Sequence, residues 1–281
     1  MADDRSRSRH LWRRWESYHG MIYFAPEAHE AYSSLGAIQP MMGYFASRAA
    51  PMGAVDGGVV TATFYNFEPS RITALVPAAW SVAPPEQWHQ ARMSAVDAAL
   101  RRLLPGVESR DDVARAAAVL SACCQSLRPD GRPLYAGHAS LPWPDAPHLQ
   151  LWHALTLLRE HRGDGHVAAL VADDVSGIQA LVMHAASGAV PSAVLQQSRG
   201  WGDAAWGSAV AELQAGGVLD ASGAFTADGA RRRQWVEDRT DALAEPACAT
   251  LSTGEVDWLA ALGKELSTAI AQSGVFARMP G

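Results

Sequence analysis

Lysine is almost missing. Lys264 is the one lysine in 281 residues, and every other fixed positive side chain is an arginine. The net charge is −6 at pH 7. A chain of this balance lacks the broad basic surface that phosphate-driven binding needs, so nucleic acid is not expected as a partner. Cysteine is scarce too. Cys123, Cys124 and Cys248 cannot all pair, and sequence neighbours rarely bridge each other, so a reducing cytoplasm is the expected location. No run of about eighteen apolar residues occurs, so no membrane span is expected. The opening MADDRSRSRHLWRRW is rich in charge and lacks the apolar stretch of a secretory leader. A glycine-rich phosphate loop, G-x-S-x-G, H-E-x-x-H and C-x-x-C are all missing. No cofactor and no metal site is therefore expected.

What is present is apolar bulk and helical spacing. Apolar residues make up 48% of the chain, enough at this length for a sizeable core. Trp12, Trp15, Tyr18, His19 and Ile22 fall three and four apart, and residues 10–36 read as helix, with Pro26 at a first helical position. Residues 41–53 read as a short helix closed by Pro51 and Gly53. GGVVTATFYNF (57–67) is β-branched and aromatic and reads first as a strand. Two helices follow between Pro84 and Ser126, and the proline-rich 128–148 reads as an irregular loop. A long helix then runs from Asp145 into LLREHRGDGHVAAL, where Gly163 is a natural stop and Asp164 a natural N-cap for a restart. Short helices are expected at 173–188 and 191–200, and one long amphipathic helix at 252–274.

Ionisable groups crowd this long helix. His153, Glu160, His161 and His166 lie on or beside one another's turns, and Arg159 and Arg162 are three apart, placed to hold a carboxylate. One reading is helix punctuation and hydrogen-bonded core histidines. The other is the floor of a small-molecule site doing acid–base work. YFAPEAHEAY adds Glu27 at a helix start, with Tyr23 and Tyr44 as aromatic lining. Tyr65 and Asn66 offer a polar edge, and His138 and Trp143 sit in a loop placed to act as a lid. The candidate catalytic set is Glu27, His153, Glu160 and His166. The candidate binding set is Tyr23, Tyr44, Tyr65, Asn66, His138, Trp143, Arg159 and Arg162.

Residues 203–246 have a distinct rhythm: a helix to Ala215, a Gly216–Gly217 stop, VLD, a turn at ASG, AFT, and a helix start at Thr226. This stretch resembles the back half of a winged helix of the multiple-antibiotic-resistance-regulator type, which implies two preceding helices at 173–200 and a small β-hairpin wing. Its expected recognition helix, 203–215, holds no arginine or lysine, and residues 199–245 carry five arginines against eight carboxylates. Nearly all of the chain is similar to a largely uncharacterised actinobacterial family of helix-turn-helix-like, degenerate winged-helix proteins. That similarity rests on YFAPEAHEAY, GYFASRAAPMG, VVTATFYNF, the 141–170 stretch and RGWGDAAW with TDALAEP. It implies a link to specialised metabolism. Where the family carries an aromatic-rich segment before GYFA, this chain reads AIQPMM.

The expected fold is mainly α, with an N-terminal helical ligand- or substrate-binding region (1–170) packed on a winged-helix-like domain with a small β-hairpin plus a C-terminal helix (171–281), and a pocket at their junction. The leading functional expectation is a cofactor-independent acid–base enzyme of natural-product metabolism. It would act on an aromatic or amine-bearing small molecule, in a cyclisation of the Pictet–Spengler kind. The alternative is a non-catalytic small-molecule-binding or sensing protein on a degenerate winged-helix regulator scaffold. Oligomeric state is left open, a homodimer included.

Overall fold

A computed structural model of the chain describes residues 6–277. The described residues form fifteen α-helices and no strand. In chain order they are α1 (Arg7–Gly20), α2 (Pro26–Leu35), α3 (Pro40–Ala49), α4 (Gly57–Phe64), α5 (Pro69–Thr73), α6 (Val76–Val82), α7 (Pro85–Leu103), α8 (Asp111–Cys124), α9 (Pro133–Ala139), α10 (Pro147–Ala172), α11 (Gly177–Ala186), α12 (Ser192–Arg199), α13 (Asp203–Ala215), α14 (Ala227–Ala244) and α15 (Thr253–Gln272). Proline opens six of them, at Pro26, Pro40, Pro69, Pro85, Pro133 and Pro147. Its missing N–H and fixed φ suit the first helical position, where no intrahelical bond is lost. Hydroxyl caps open α11, α14 and α15. Ser176 with Gln179, and Ser252 with Glu255, form reciprocal capping boxes, and Thr226 accepts from Gly229 N.

Two cores share one helix. The larger gathers α1 to α10 and α15 around the fully buried Trp15, Trp88, Trp152, Tyr18 and Phe45. The smaller joins Ala169 and Leu170 at the end of α10 to Val175, Val182, Met183, Ala209, Leu213, Val218, Leu219 and Val236. At 26 residues α10 is about 39 Å long, enough to serve both. The last helix, α15, returns to the larger core and packs on α1 so closely that a Cβ on Gly263 would sit 2.7 Å from the Trp15 ring.

Four local expectations change. Residues 57–64 are helical. Short β-branched runs do not distinguish strand from helix, and here the Thr61 and Thr63 hydroxyls donate to the carbonyls of Gly57 and Val59, each at 2.8 Å, inside the helix. The 128–148 stretch contains α9. The long helix does not stop at Gly163. Two glycines cost it about 1 kcal/mol each, an amount tertiary packing overrides. A Cβ on Gly165 would lie 2.7 Å from Arg132 Nη1 and 3.3 Å from Leu243 Cβ, so glycine there lets both come close. Asp164 caps a different helix, accepting from Tyr135 N of α9 at 2.9 Å. Finally, the expected β-hairpin is reduced to a single antiparallel bridge, Leu219 to Phe225, with no strand on either side.

Candidate functional site

Two regions stand out. The first is built from α11 to α14. α12 and α13 are joined by Gly200, Trp201 and Gly202, a three-residue link of the length that turns one helix across the next. Gly200 takes φ +85°, which a side chain would strain, and a Cβ there would meet Arg71 Cδ at 2.8 Å. The end of α12 and the link are clasped by α5 and the segment before it. Glu68 N donates to Arg199 O (3.0 Å), Arg71 Nη1 to Gln197 O (3.1 Å) and Trp201 Nε1 to Asn66 O (2.9 Å). The Tyr65 hydroxyl donates to Val175 O at 2.5 Å. Asn66 therefore holds the α12–α13 link, while Tyr65 holds the connection between α10 and α11. The outward face of α13 carries Ala204, Ala205, Gly207, Ser208, Ala211 and Glu212. Nearby arginines are paired: Arg231 with Asp228, Arg232 with Asp173 (2.6 Å) and Arg233 with Glu237 (2.6 Å).

The second region is a polar network inside the larger core. Arg48 Nη2 donates to both carboxylate oxygens of Glu160, at 3.0 and 3.1 Å, and its Nη1 donates to the Tyr44 hydroxyl at 2.8 Å. Arg159 Nη1 reaches Glu160 at 3.4 Å and its other terminus faces Glu16 at 3.6 Å. Burial alone would raise the Glu160 carboxyl, but Arg48, Arg159 and His138 outweigh it and hold it down at about 2. The Tyr44 phenol behaves alike: burial raises it, and Arg48, Arg199 and Arg159 bring it below its ordinary value. Behind this group lies Arg92, only 1% exposed. It donates to the Tyr23 hydroxyl (3.2 Å) and weakly to Ser47 Oγ (3.5 Å), and its Nε has no partner. Among the described residues no carboxylate pairs with it. Its guanidinium lies 5.4 Å from the Tyr23 ring centre and 5.1 Å from that of Trp152. Cation–π contact contributes roughly 2 kcal/mol when desolvated, whereas burying an unpaired ion costs several kcal/mol. The aromatic partners therefore offset only part of that cost.

A cleft of about 380 Å³ opens between α2 and the start of α3. Tyr23, Phe24, Tyr32 and Tyr44 wall it, Ser47 lies at its base, and Ile38 and Gln39 of the AIQPMM segment form its rim. The junction of α1, α10 and the end of α14 holds a cavity of only about 50 Å³, room for a water or two rather than a ligand. The larger cleft thus lies inside the N-terminal helical region.

The remaining candidates are dispersed. Tyr23 and Tyr44 meet at the cleft, their rings 5.3 Å apart, and Arg159 stacks 5.8 Å from Tyr23. Glu27 lies at the rim of α2, paired with Arg102 through both oxygens. Trp143 is 40% exposed and sets its ring edge-on against His153, 4.7 Å away. His166 Nδ1 bonds Thr240 Oγ1 at 2.9 Å. Arg162 pairs with Asp241 of α14 at 2.8 Å, so Arg159 and Arg162 hold different acids. His138 is buried and, with His153 and His166, is pushed down by burial, to about 3 for His138 and about 4 for the other two. None of Glu27, His153, Glu160 and His166 lines either of these two cavities, and each has its own, different partners. Arg48, Arg92 and Arg199 were not legible as site residues. Nothing in the spacing around them marks a partner, and the Arg48–Glu160 partnership spans 112 positions.

No curated protein and no solved structure matches the chain significantly. A family model does, described as a helix-turn-helix family and covering residues 8–277. Two expectations fall with it. The cofactor-free acid–base enzyme is replaced, because the family match points to a regulator and the four proposed catalytic groups occupy separate surroundings. The expectation that nucleic acid is no partner, with an aromatic small-molecule substrate in its place, is likewise overturned: a helix-turn-helix family suggests nucleic acid binding, and nothing found supports such a substrate. No single described helix is long and apolar enough to cross a membrane. From residue 8 to residue 277, this chain belongs to the helix-turn-helix family.

Proposed function

We propose that the chain is a nucleic-acid-binding regulator that senses a small molecule without turning it over. Its reader is α11 to α14, a degenerate winged helix of the multiple-antibiotic-resistance-regulator type. In this reading α13 is the recognition helix and residues 217–226, with the Leu219–Phe225 bridge, are a vestigial wing. The sensor is the N-terminal helical region (1–170), with α15 packed on it. The observation that carries the reading is the family match over nearly the whole chain, joined to a glycine-turned link between α12 and α13. The clasp from Glu68, Arg71 and Asn66 supports a sensing role, because it ties α12 and the α12–α13 link to the α4–α5 segment, whose Phe67 packs on Tyr44 of the cleft. Arg199, the last residue of α12, extends the tie by stacking 4.7 Å from Phe67, which packs on Tyr44. Three unpaired, buried cysteines accord with a cytoplasmic protein.

The reader has few free cations, so its contacts must come largely from hydroxyl and backbone donors, as at Ser192 and Ser208. Fluorescence anisotropy against duplexes selected from a randomised pool tests this. We expect selected duplexes to bind more tightly than unselected ones. The slope of log affinity against log salt should be shallow, no steeper than about −3, corresponding to about three neutralised phosphates. Ala204→Glu with Ala211→Glu should abolish binding. Absence of any duplex binding at low salt removes the nucleic-acid reading.

A further inference from the structure

Arg92 is a fixed charge enclosed in protein without an acid to answer it. A guanidinium does not shed its proton, so burial cannot neutralise it. Arg48 is buried as well, but Glu160 is its counter-ion. The two side-chain oxygens that Arg92 touches, on Tyr23 and Ser47, both belong to residues lining the 380 Å³ cleft between α2 and α3. The direction of the hydrogen bonds matters. Arg92 donates to the Tyr23 oxygen and Arg48 donates to the Tyr44 oxygen. Each phenol therefore keeps its own hydrogen for another acceptor, and a donor that itself accepts from a cation is strengthened. The cleft adds apolar aromatic walls at Phe24, Tyr32 and Tyr44 and a volume in the range of small-molecule sites.

We propose that the cleft binds a small organic anion, a carboxylic acid with an apolar body. Its carboxylate accepts from the Tyr23 and Ser47 hydroxyls with the Arg92 charge directly behind them. The apolar body lies against Phe24, Tyr32 and Tyr44. Inorganic anions lack a body to fill these walls, and a neutral isostere lacks the charge that Arg92 answers. As an effector site this rests on the sensing role proposed above; as a binding site it does not.

Calorimetry on the full chain with 2-naphthoate and its neutral twin 2-naphthamide tests the site without DNA. We expect saturable one-site binding of the acid, with the amide weaker by about tenfold or more. Arg92→Met should weaken the acid by about tenfold or more and the neutral amide much less. Tyr23→Phe keeps the ring, loses the hydroxyl and should weaken the acid severalfold, so the test survives if Arg92→Met fails to fold. The proposal is overturned if acid and amide bind equally, or if inorganic phosphate binds as tightly as the acid. Undiminished binding of the acid by a folded Arg92→Met, or by Tyr23→Phe, overturns it too. So does absence of saturable binding by naphthoate, benzoate and phenylacetate at roughly millimolar concentration. A second arm adds naphthoate to the DNA titration. Binding of the acid with no change in DNA affinity leaves the site standing and removes only its role as a sensor.

Discussion

Arg48 and Arg92 are neighbours in chemistry and opposites in energetics. Both are buried guanidiniums beside tyrosine rings, but only Arg48 has a carboxylate. Replacing Arg48 by methionine leaves Glu160, 3% exposed, as a buried anion with a single, longer contact to Arg159. Stranding one member of a buried pair costs about 3–5 kcal/mol. Replacing Arg92 by methionine removes a charge that has no counter-ion and keeps the apolar stem. Urea denaturation should therefore show Arg48→Met strongly destabilised and Arg92→Met as stable as the parent or more so. Equal losses in the two variants would mean that Arg92 is structural, held by its aromatic neighbours. The sequence singled out Glu160, Tyr23 and Tyr44 because each sits in a dense polar or aromatic stretch. It missed both arginines because each owes its meaning to a partner far along the chain, which no local spacing records.

Helix ends were more legible than helix interiors. Proline at first positions and hydroxyl caps such as Thr226 and Ser252 are local devices, and they mark the starts of α2, α14 and α15 in the sequence itself. Gly163 and the GGVVTATF run misled because glycine and β-branched residues state a preference of only about 1 kcal/mol, which packing reverses. The two glycines of α15 separate propensity from packing within one helix. Gly254 lies in the first turn with nothing near its would-be Cβ, so Gly254→Ala should stabilise by about 0.4–1 kcal/mol through the unfolded chain. Gly263→Ala would press a methyl into the buried Trp15 ring, and overpacking of this kind costs about 1–3 kcal/mol. Thermal melts of the two variants should move in opposite directions. A shift of the same sign in both would contradict the close packing of α1 on α15.

At the scale of the molecule, the mainly helical organisation was readable from periodicity, while whole-chain charge was a poor guide to partners. Net charge argued against nucleic acid because it sums over the whole surface, whereas a reader helix uses only a few donors. The same summing hides a strong dependence on acidity. His89, His153, His161 and His166 are each held at about 4 and His138 at about 3, in every case chiefly by burial, which penalises the charged ring. In the unfolded chain histidine titrates near 6.5. Their folded values are depressed, so their stabilising share is complete above about 6.5 and is lost as pH falls toward 4. Asp164 works the other way. Burial raises it to about 6, so it favours the folded state increasingly as pH drops from 6 toward the ordinary aspartate value, offsetting one of the five histidines. Glu160, held at about 2, adds its own loss only below the usual glutamate range. Between pH 6 and 5 unfolding should therefore take up several protons, each worth at most about 1.4 kcal/mol per pH unit. Urea titrations at pH 7, 6 and 5 should show the midpoint falling steeply and progressively, with proton uptake on unfolding visible as a buffer-dependent heat in calorimetry. A midpoint that stays level from pH 7 to 5 would mean that these imidazoles reach water in the native protein. The enclosed core around α10 would then be looser than its packing indicates.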